Sequence, residues 1–430
     1  MQAFLFIVLL LFFYWLSRRL LFGTQPFLAQ KFFLPLLSLQ ILAGWAMGYL
    51  YVAYYPGGDT WVYFHDISVL SNLFWKDANI YSKVVFQQTE LAELYFANQP
   101  RALFFVKTGS LLGVFCLDNY WLLSMTFSIV SFLASWWFAA RLKQHLKCKD
   151  YQVIFPFLVF PSVIFWSSGV LKETLAISMI FLLSGIFLNL YFNPKKNSQR
   201  IYFQTIIGIG ISFLLWKLKY YYAAILLPIL SAALLLKWLD SLLDAKHLQA
   251  KKNWFLPIIT IAMVAVPMQL HPNLELQYVL SALFKNHQLS VSASLPDTYV
   301  LFPTYDDSVA SFLIHFPKAV LNGLFAPMPL VQGANSLHLI AGIENLIVLM
   351  LVSCAIVVQI MRNKRPAHLV LIVLCVLYIV VLAGLITLAS PNFGSLLRYR
   401  VAYLPFLLFL TLLSLDDNLR TILSQFRKKI

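Results

Sequence analysis

The chain alternates long apolar runs with short polar and mostly basic intervals. Runs able to cross a membrane lie near 3–17, 32–55, 119–140, 151–168, 170–192, 201–216, 221–239, 253–269, 338–361, 367–389 and 397–415. A helix needs roughly 20 apolar residues to cross the hydrocarbon core of a bilayer. The pattern therefore predicts an all-α fold, a polytopic transmembrane helical bundle of about 11 spans in a single transmembrane domain, 1–430. Residues 103–117 are apolar enough to suggest a twelfth, but counting them inverts every later loop. They are assigned instead to a first long extracytoplasmic loop, 56–118, carrying in-plane amphipathic helices. A second long extracytoplasmic segment covers 270–337. Its stretch 308–326 is expected to break at Pro317 and to lie flat or dip and return before Pro327-Met328-Pro329.

Composition narrows the class. Hydrophobic residues make up 60% of the chain and charged ones 11%, against about 25% charged in soluble domains. That excludes a separate globular catalytic domain. A net charge of +15 would suggest nucleic acid in a soluble protein, but here the distribution of charge matters more than its sum. The clusters Arg18/Arg19/Lys31, Arg141 to Lys149, Lys195/Lys196/Arg200, Lys237 to Lys252, Arg362 to Arg365 and Arg420 to Lys429 fit cytoplasmic loops, since lysine and arginine mark that face. An N-terminus outside and a C-terminus inside follow, and no nucleic-acid partner is expected. The first run has no preceding positive charge and is followed by Arg18 and Arg19, the wrong polarity for a cleaved signal peptide. Cys116, Cys148, Cys354 and Cys375 are far apart and lack metal-ligand spacing, so they read as packing residues.

In so apolar a chain the ionisable residues near the spans carry the information, because each is costly there. Gly57-Gly58-Asp59-Thr60-Trp61-Val62-Tyr63-Phe64-His65-Asp66 follows the second span. A helix starting at Thr60 would make Asp59 its N-cap, with Tyr63 and Asp66 on roughly the same face. Such a carboxylate could take a proton from an acceptor hydroxyl or hold a divalent cation; the plain alternative is a cap on a surface helix. Pro161-Ser162, Trp166-Ser167-Ser168-Gly169 and Lys172-Glu173 form a hairpin leading into the next helix. Free N–H groups and a lysine at that helix start would attract an anion such as phosphate; otherwise Lys172 snorkels and Glu173 answers the dipole. Arg398-Tyr399-Arg400 opens the last span from its outer end, against the basic-inside bias. One guanidinium could face inward and bind phosphate while the other anchors to headgroups. Weaker candidates are Lys217 and Lys219 before Tyr220-Tyr221-Tyr222, Arg101 and Lys107 in the first loop, and Glu344 inside a span, paired with a basic neighbour. Nucleotide-binding, zinc-protease and serine-hydrolase motifs are absent.

Together, the segments Gly57 to Asp66, Pro161 to Glu173, Leu324 to Pro329 and Arg398 to Arg400 resemble the GT-C superfamily of membrane glycosyltransferases that use polyprenyl-phosphate-linked sugars, and the related polysaccharide polymerases. The architecture is similar over most of the chain. The resemblance implies transfer of a sugar from a polyprenyl-phosphate-linked donor to a saccharide, lipid or protein acceptor, at the extracytoplasmic face of a bacterial inner membrane, in cell-surface polysaccharide or glycoconjugate synthesis. It implies Asp59 as the catalytic carboxylate and Asp66 as a second acid. Lys172, Arg398, Arg400 and Lys219 would bind the donor phosphate, supported by Glu173, Ser168 and Tyr63. Many such proteins carry a tight acidic pair, whereas Asp59 and Asp66 are seven apart, which leaves use of a divalent cation open. Competing readings are an oligosaccharide polymerase or ligase, a transporter or flippase of lipid-linked saccharide, and a non-catalytic scaffold.

Overall fold

The computed structural model describes residues 30–54, 58–87, 93–192, 198–243, 275–329, 336–362 and 368–427, with short pieces at 258–259 and 262. The expected spans near 3–17 and 253–269 lie wholly or mostly outside them, as do Pro56, Gly57 and the Arg18/Arg19 and Lys195/Lys196 clusters. Among the described residues the chain is helical, and its sole β pairing is an isolated bridge between Tyr299 and Asn392. Two compact units share the chain, Met1–Ala223 and Ala224–Ile430.

Among the described residues, six helices are long and apolar enough to cross a membrane: Gln30–Ala53, Tyr120–Leu146, Lys172–Phe192, Ile201–Leu239, Leu337–Met361 and Leu369–Ala389. A seventh candidate is bent by 61° between Phe393–Ala402 and Leu404–Leu415. The protein is an integral membrane protein of the all-α class.

In the first unit, α1 (Phe33–Ala53) is followed by α2 (Asp59–Lys76), α3 (Ala78–Phe86) and α4 (Pro100–Gly113), then by α5 (Tyr120–Leu146). With 14 residues, α4 rises roughly 21 Å, short of the roughly 30 Å core. Small residues bring α1 close to α5: a Cβ at Gly44 would sit 2.3 Å from Ser128 Oγ. The buried hydroxyls of Thr126, Ser128 and Ser135 donate to carbonyls one turn back, which lets α5 carry these three through an apolar core, whereas the buried hydroxyls of Ser124 and Ser131 on the same helix have no partner among the described residues.

The expected span 151–168 is not one helix. It divides into α6 (Asp150–Ile154), a π-helical turn at Phe155–Val159 and α7 (Pro161–Trp166). Pro156 and Pro161 each lack the N–H that a regular helix would use. After α8 (Lys172–Phe192), the runs 201–216 and 221–239 lie on the two arms of α9 (Ser198–Leu243), two helices that meet at a kink between those runs. Its break falls at Lys219, with φ −145° and ψ 74°.

The second unit holds α10 (Leu276–Ser292), α11 (Val309–Phe325), α12 (Ser336–Arg362), α13 (Leu369–Ala389), α14 (Phe393–Tyr399) and α15 (Leu404–Arg427). Contrary to expectation, Pro317 does not break α11, which runs through it. Close packing on α13 offsets the lost hydrogen bond: a Cβ at Gly384 would lie 2.3 Å from the Phe316 ring, and one at Gly323 2.8 Å from Ala383 O. At the expected last span, 397–415, the helix α14 starts earlier than 397, because Asn392 caps it by accepting from Ser395 N at 3.2 Å.

Candidate functional site

Helix α2 begins at Asp59 itself, with Gly58 as N-cap. Asp59 is thus a first-turn residue rather than the cap, and its negative charge suits the helix dipole there. Its side chain is exposed. Aromatic contacts fix this first turn. Trp61 stacks on Tyr120 with centroids 3.9 Å apart and donates through Nε1 to Gly48 O at 3.1 Å. The Thr60 and Tyr120 hydroxyls share a hydrogen bond of 2.9 Å. Gly48 is required by this arrangement, since a Cβ there would stand 2.3 Å from Tyr120 Cε1.

One turn further, buried Tyr63 stacks on Phe96 (4.6 Å) and meets Phe105 edge-on (4.8 Å). The ammonium of Lys172, the first residue of α8, lies 5.2 Å from the centre of the Tyr63 ring. An ammonium so close to a tyrosine ring is held by the ring's quadrupole. The structure thus brings Lys172 against the helix that starts with Asp59. Asp66 has a different setting. It is fully buried and accepts from the backbone N–H groups of Tyr95 (3.1 Å) and Phe96 (3.0 Å), with His65 Nδ1 at 3.2 Å. This carboxylate clamps the 93–99 turn onto α2 and thereby sets Phe96 against Tyr63.

The hairpin before α8 is buried rather than exposed at a loop tip. Ser168 is fully buried, and its hydroxyl donates to Ile164 O at 2.6 Å. Gly169 adopts φ +72°, a left-handed conformation that favours glycine, while its N–H donates to Ser128 Oγ at 3.1 Å. Thr174 Oγ1 donates to the carbonyls of Ser168 (3.0 Å) and Gly169 (2.9 Å), and Gln40 Nε2 donates to Ser167 O at 3.2 Å. The turn is held from three sides, and that fixes where Lys172 starts.

Glu173 is fully buried and pairs with Lys219, Nζ to Oε1 2.7 Å. Lys219 is 7% exposed and also donates to Tyr221 Oη at 3.1 Å. The guanidinium of Arg101 lies 4.1 Å from the Tyr220 ring centre. The sequence places Glu173 and Lys219 in separate groups, 46 residues apart, so their pairing was missed. The available signal was that each is an ionisable group in apolar surroundings and each needs a partner.

In the second unit, Arg398 is half-buried with its guanidinium 6.0 Å from the Tyr399 ring centre. Arg400 is 1% exposed. The two arginines are therefore unequal, with Arg400 inside. Its Nη1 reaches Leu324 O at 3.4 Å and Ala326 O at 3.5 Å. Nearby, Tyr403 Oη donates to Gly323 O at 2.7 Å and Tyr378 Oη to Ala402 O at 3.2 Å, satisfying carbonyls around the bend.

Among the described residues no group of three His, Cys, Asp or Glu side chains could hold a metal ion. Asp59 is exposed, whereas Asp66 is buried and accepts from backbone amides. Comparison of the chain with protein-family models, with curated proteins and with solved structures found no match.

Proposed function

We propose that this protein is a GT-C-like integral-membrane glycosyltransferase that moves a sugar from a polyprenyl-phosphate-linked donor to an acceptor hydroxyl. One observation carries the reading: Lys172 rests on Tyr63, one turn after the exposed Asp59. A carboxylate, an aromatic ring and a cation are the groups such a transfer needs. Asp59 takes the proton from the acceptor hydroxyl. Lys172 stabilises the negative charge that grows on the departing polyprenyl phosphate, and a single displacement of this kind inverts the anomeric centre. Lys219, engaged by Glu173, acts by fixing the start of α8, and Asp66 acts by holding the Phe96 turn. Arg398 and Arg400 are the candidate phosphate cations of the second unit.

The accompanying topology is the one the charge pattern predicts, about 11 spans with the segments 56–118 and 270–337 extracytoplasmic; the family resemblance adds a bacterial inner membrane and an extracytoplasmic reacting face. The test is release of polyprenyl phosphate from a labelled lipid-linked sugar by the full chain in nanodiscs. Asp59→Asn is expected to slow release by roughly 100-fold or more, in the range of a lost general base, and Lys172→Gln to slow it with the fold intact. Undiminished release by a folded Asp59→Asn protein would overturn the assignment.

A further inference from the structure

Arg400 is charged at any physiological pH and is 1% exposed, yet among the described residues its Nε and Nη2 have no hydrogen-bond partner. Glu344 acts on it through space without bonding either nitrogen. These two nitrogens form one edge of the guanidinium, with parallel N–H bonds that match two oxygens of a single oxyanion. A buried donor pair left open in this way is an exception that needs an explanation, and a bound oxyanion is one that fits its geometry.

Asn345, on α12, is fully buried. Its Nδ2 donates to Pro327 O at 2.8 Å. A carbonyl can only accept, so the amide orientation is fixed and Oδ1 points the other way. Among the described residues that oxygen has no partner. Arg400 and Asn345 grip consecutive carbonyls of one turn, Ala326 O and Pro327 O. The turn therefore carries two parallel donors and one acceptor, all buried and unanswered.

We infer that Arg400 and Asn345 form an oxyanion site that takes a phosphate monoester in its hydrogenphosphate form in preference to a phosphodiester. Two unprotonated oxygens lie on the Arg400 edge and the P–OH donates to Asn345 Oδ1. A diester has no P–OH, and Asn345 would then face an oxygen. The inference deepens the proposed function and rests on it for the ligand's identity. A sugar-bearing lipid phosphate is a diester and the released lipid phosphate a monoester, so the site holds the leaving product rather than the donor. The irregular backbone at Arg400–Ala402 suits this, since broken helices in membrane proteins accompany buried ligand sites.

The test is the heat stability of the full chain in dodecyl maltoside, titrated at one pH with dodecyl phosphate, dodecyl methyl phosphate and inorganic phosphate. Dodecyl phosphate is expected to stabilise the protein at roughly tenfold lower concentration than its methyl diester, one hydrogen bond's worth. Arg400→Met should abolish both shifts, and Asn345→Leu should erase the difference between them. Should Arg400→Met fail to fold, Arg400→Lys keeps the charge, loses the paired geometry and should move the midpoint upward. A response to inorganic phosphate equal to that to dodecyl phosphate assigns the site to free phosphate, and a response to dodecyl phosphate alone assigns it to a lipid headgroup. No shift with any anion, equal midpoints for monoester and diester, or an unchanged midpoint in Arg400→Lys would overturn the inference. Binding is read without turnover, so a negative result leaves sugar transfer standing, and an Asp59→Asn variant that still transfers sugar leaves this site standing.

Discussion

The buried pair Glu173–Lys219 offers the sharpest test of how the α8 start is held. Glu173 is fully buried and Lys219 is 7% exposed, at 2.7 Å from each other, so bulk water compensates neither when its partner is removed. Removing one member of such a pair costs about 3–5 kcal/mol, because an uncompensated charge stays behind. Lys219→Met strands a carboxylate and belongs in that range. Glu173→Gln still offers an oxygen to the ammonium but strands the cation, which places it near the lower end. The double replacement is neutral and loses only hydrogen bonds of about 1 kcal/mol each. It is expected to be more stable than either single variant, with a coupling energy of about 2 kcal/mol or more. Unfolding in mixed micelles of increasing dodecyl sulfate, followed by tryptophan fluorescence, measures all four proteins. Additive effects, or singles within about 0.5 kcal/mol of the parent, would refute the reasoning. Because Lys172 is the adjoining residue, sugar release should fall in each single variant and recover in part in the double.

Gly48→Val drives a side chain into the Tyr120 ring and should destabilise the protein by about 1–3 kcal/mol. It should also slow sugar release without altering Asp59, as Trp61 loses its seat; release at the parent rate counts against the positioning role of that aromatic pair. His287 on α10, 8% exposed, bonds Leu388 O at 2.8 Å and packs against Tyr305 and Phe302. Burial lowers its pKa below the usual 6.5, the Leu388 carbonyl opposes this, and His315 adds to the lowering. Its contribution to stability is therefore complete above pH 6.5 and is lost as pH falls from there through the lowered value. Melting temperatures between pH 7.5 and 5 should decline less steeply in His287→Gln than in the parent; matching slopes would show that the imidazole does not carry the effect.

Long helices were legible because their signal is local. A run such as 369–389 is apolar at nearly every position, and no tertiary partner is needed to make it a helix in lipid. Where local rules and packing compete, the sequence misleads. Pro317 reads as a break, yet α11 continues because Phe316 and Gly323 lock it onto α13. Pro156 and Pro161, in a run that reads as one span, do interrupt it. The difference lies in the neighbours rather than in the proline, and no spacing rule encodes neighbours.

The candidate site divides along the same line. Residue type and position relative to a span single out Asp59, Lys172 and Arg400, since an ionisable group beside lipid is costly wherever the chain later goes. Their roles depend on partners far off in sequence. Asp66 looks like a second acid until the N–H groups of Tyr95 and Phe96 are found on it. Lys219 looks like a phosphate cation until Glu173 is found beside it. Asn345 carries no charge and lies within an apolar run, so nothing in the sequence marks it. Only the bond to Pro327 O, which turns its oxygen away from that carbonyl, makes it an acceptor in search of a hydrogen. A charged residue whose valences are met within the fold shapes the site. One buried with valences open among the described residues, as Arg400 is, is where we infer that a ligand completes it.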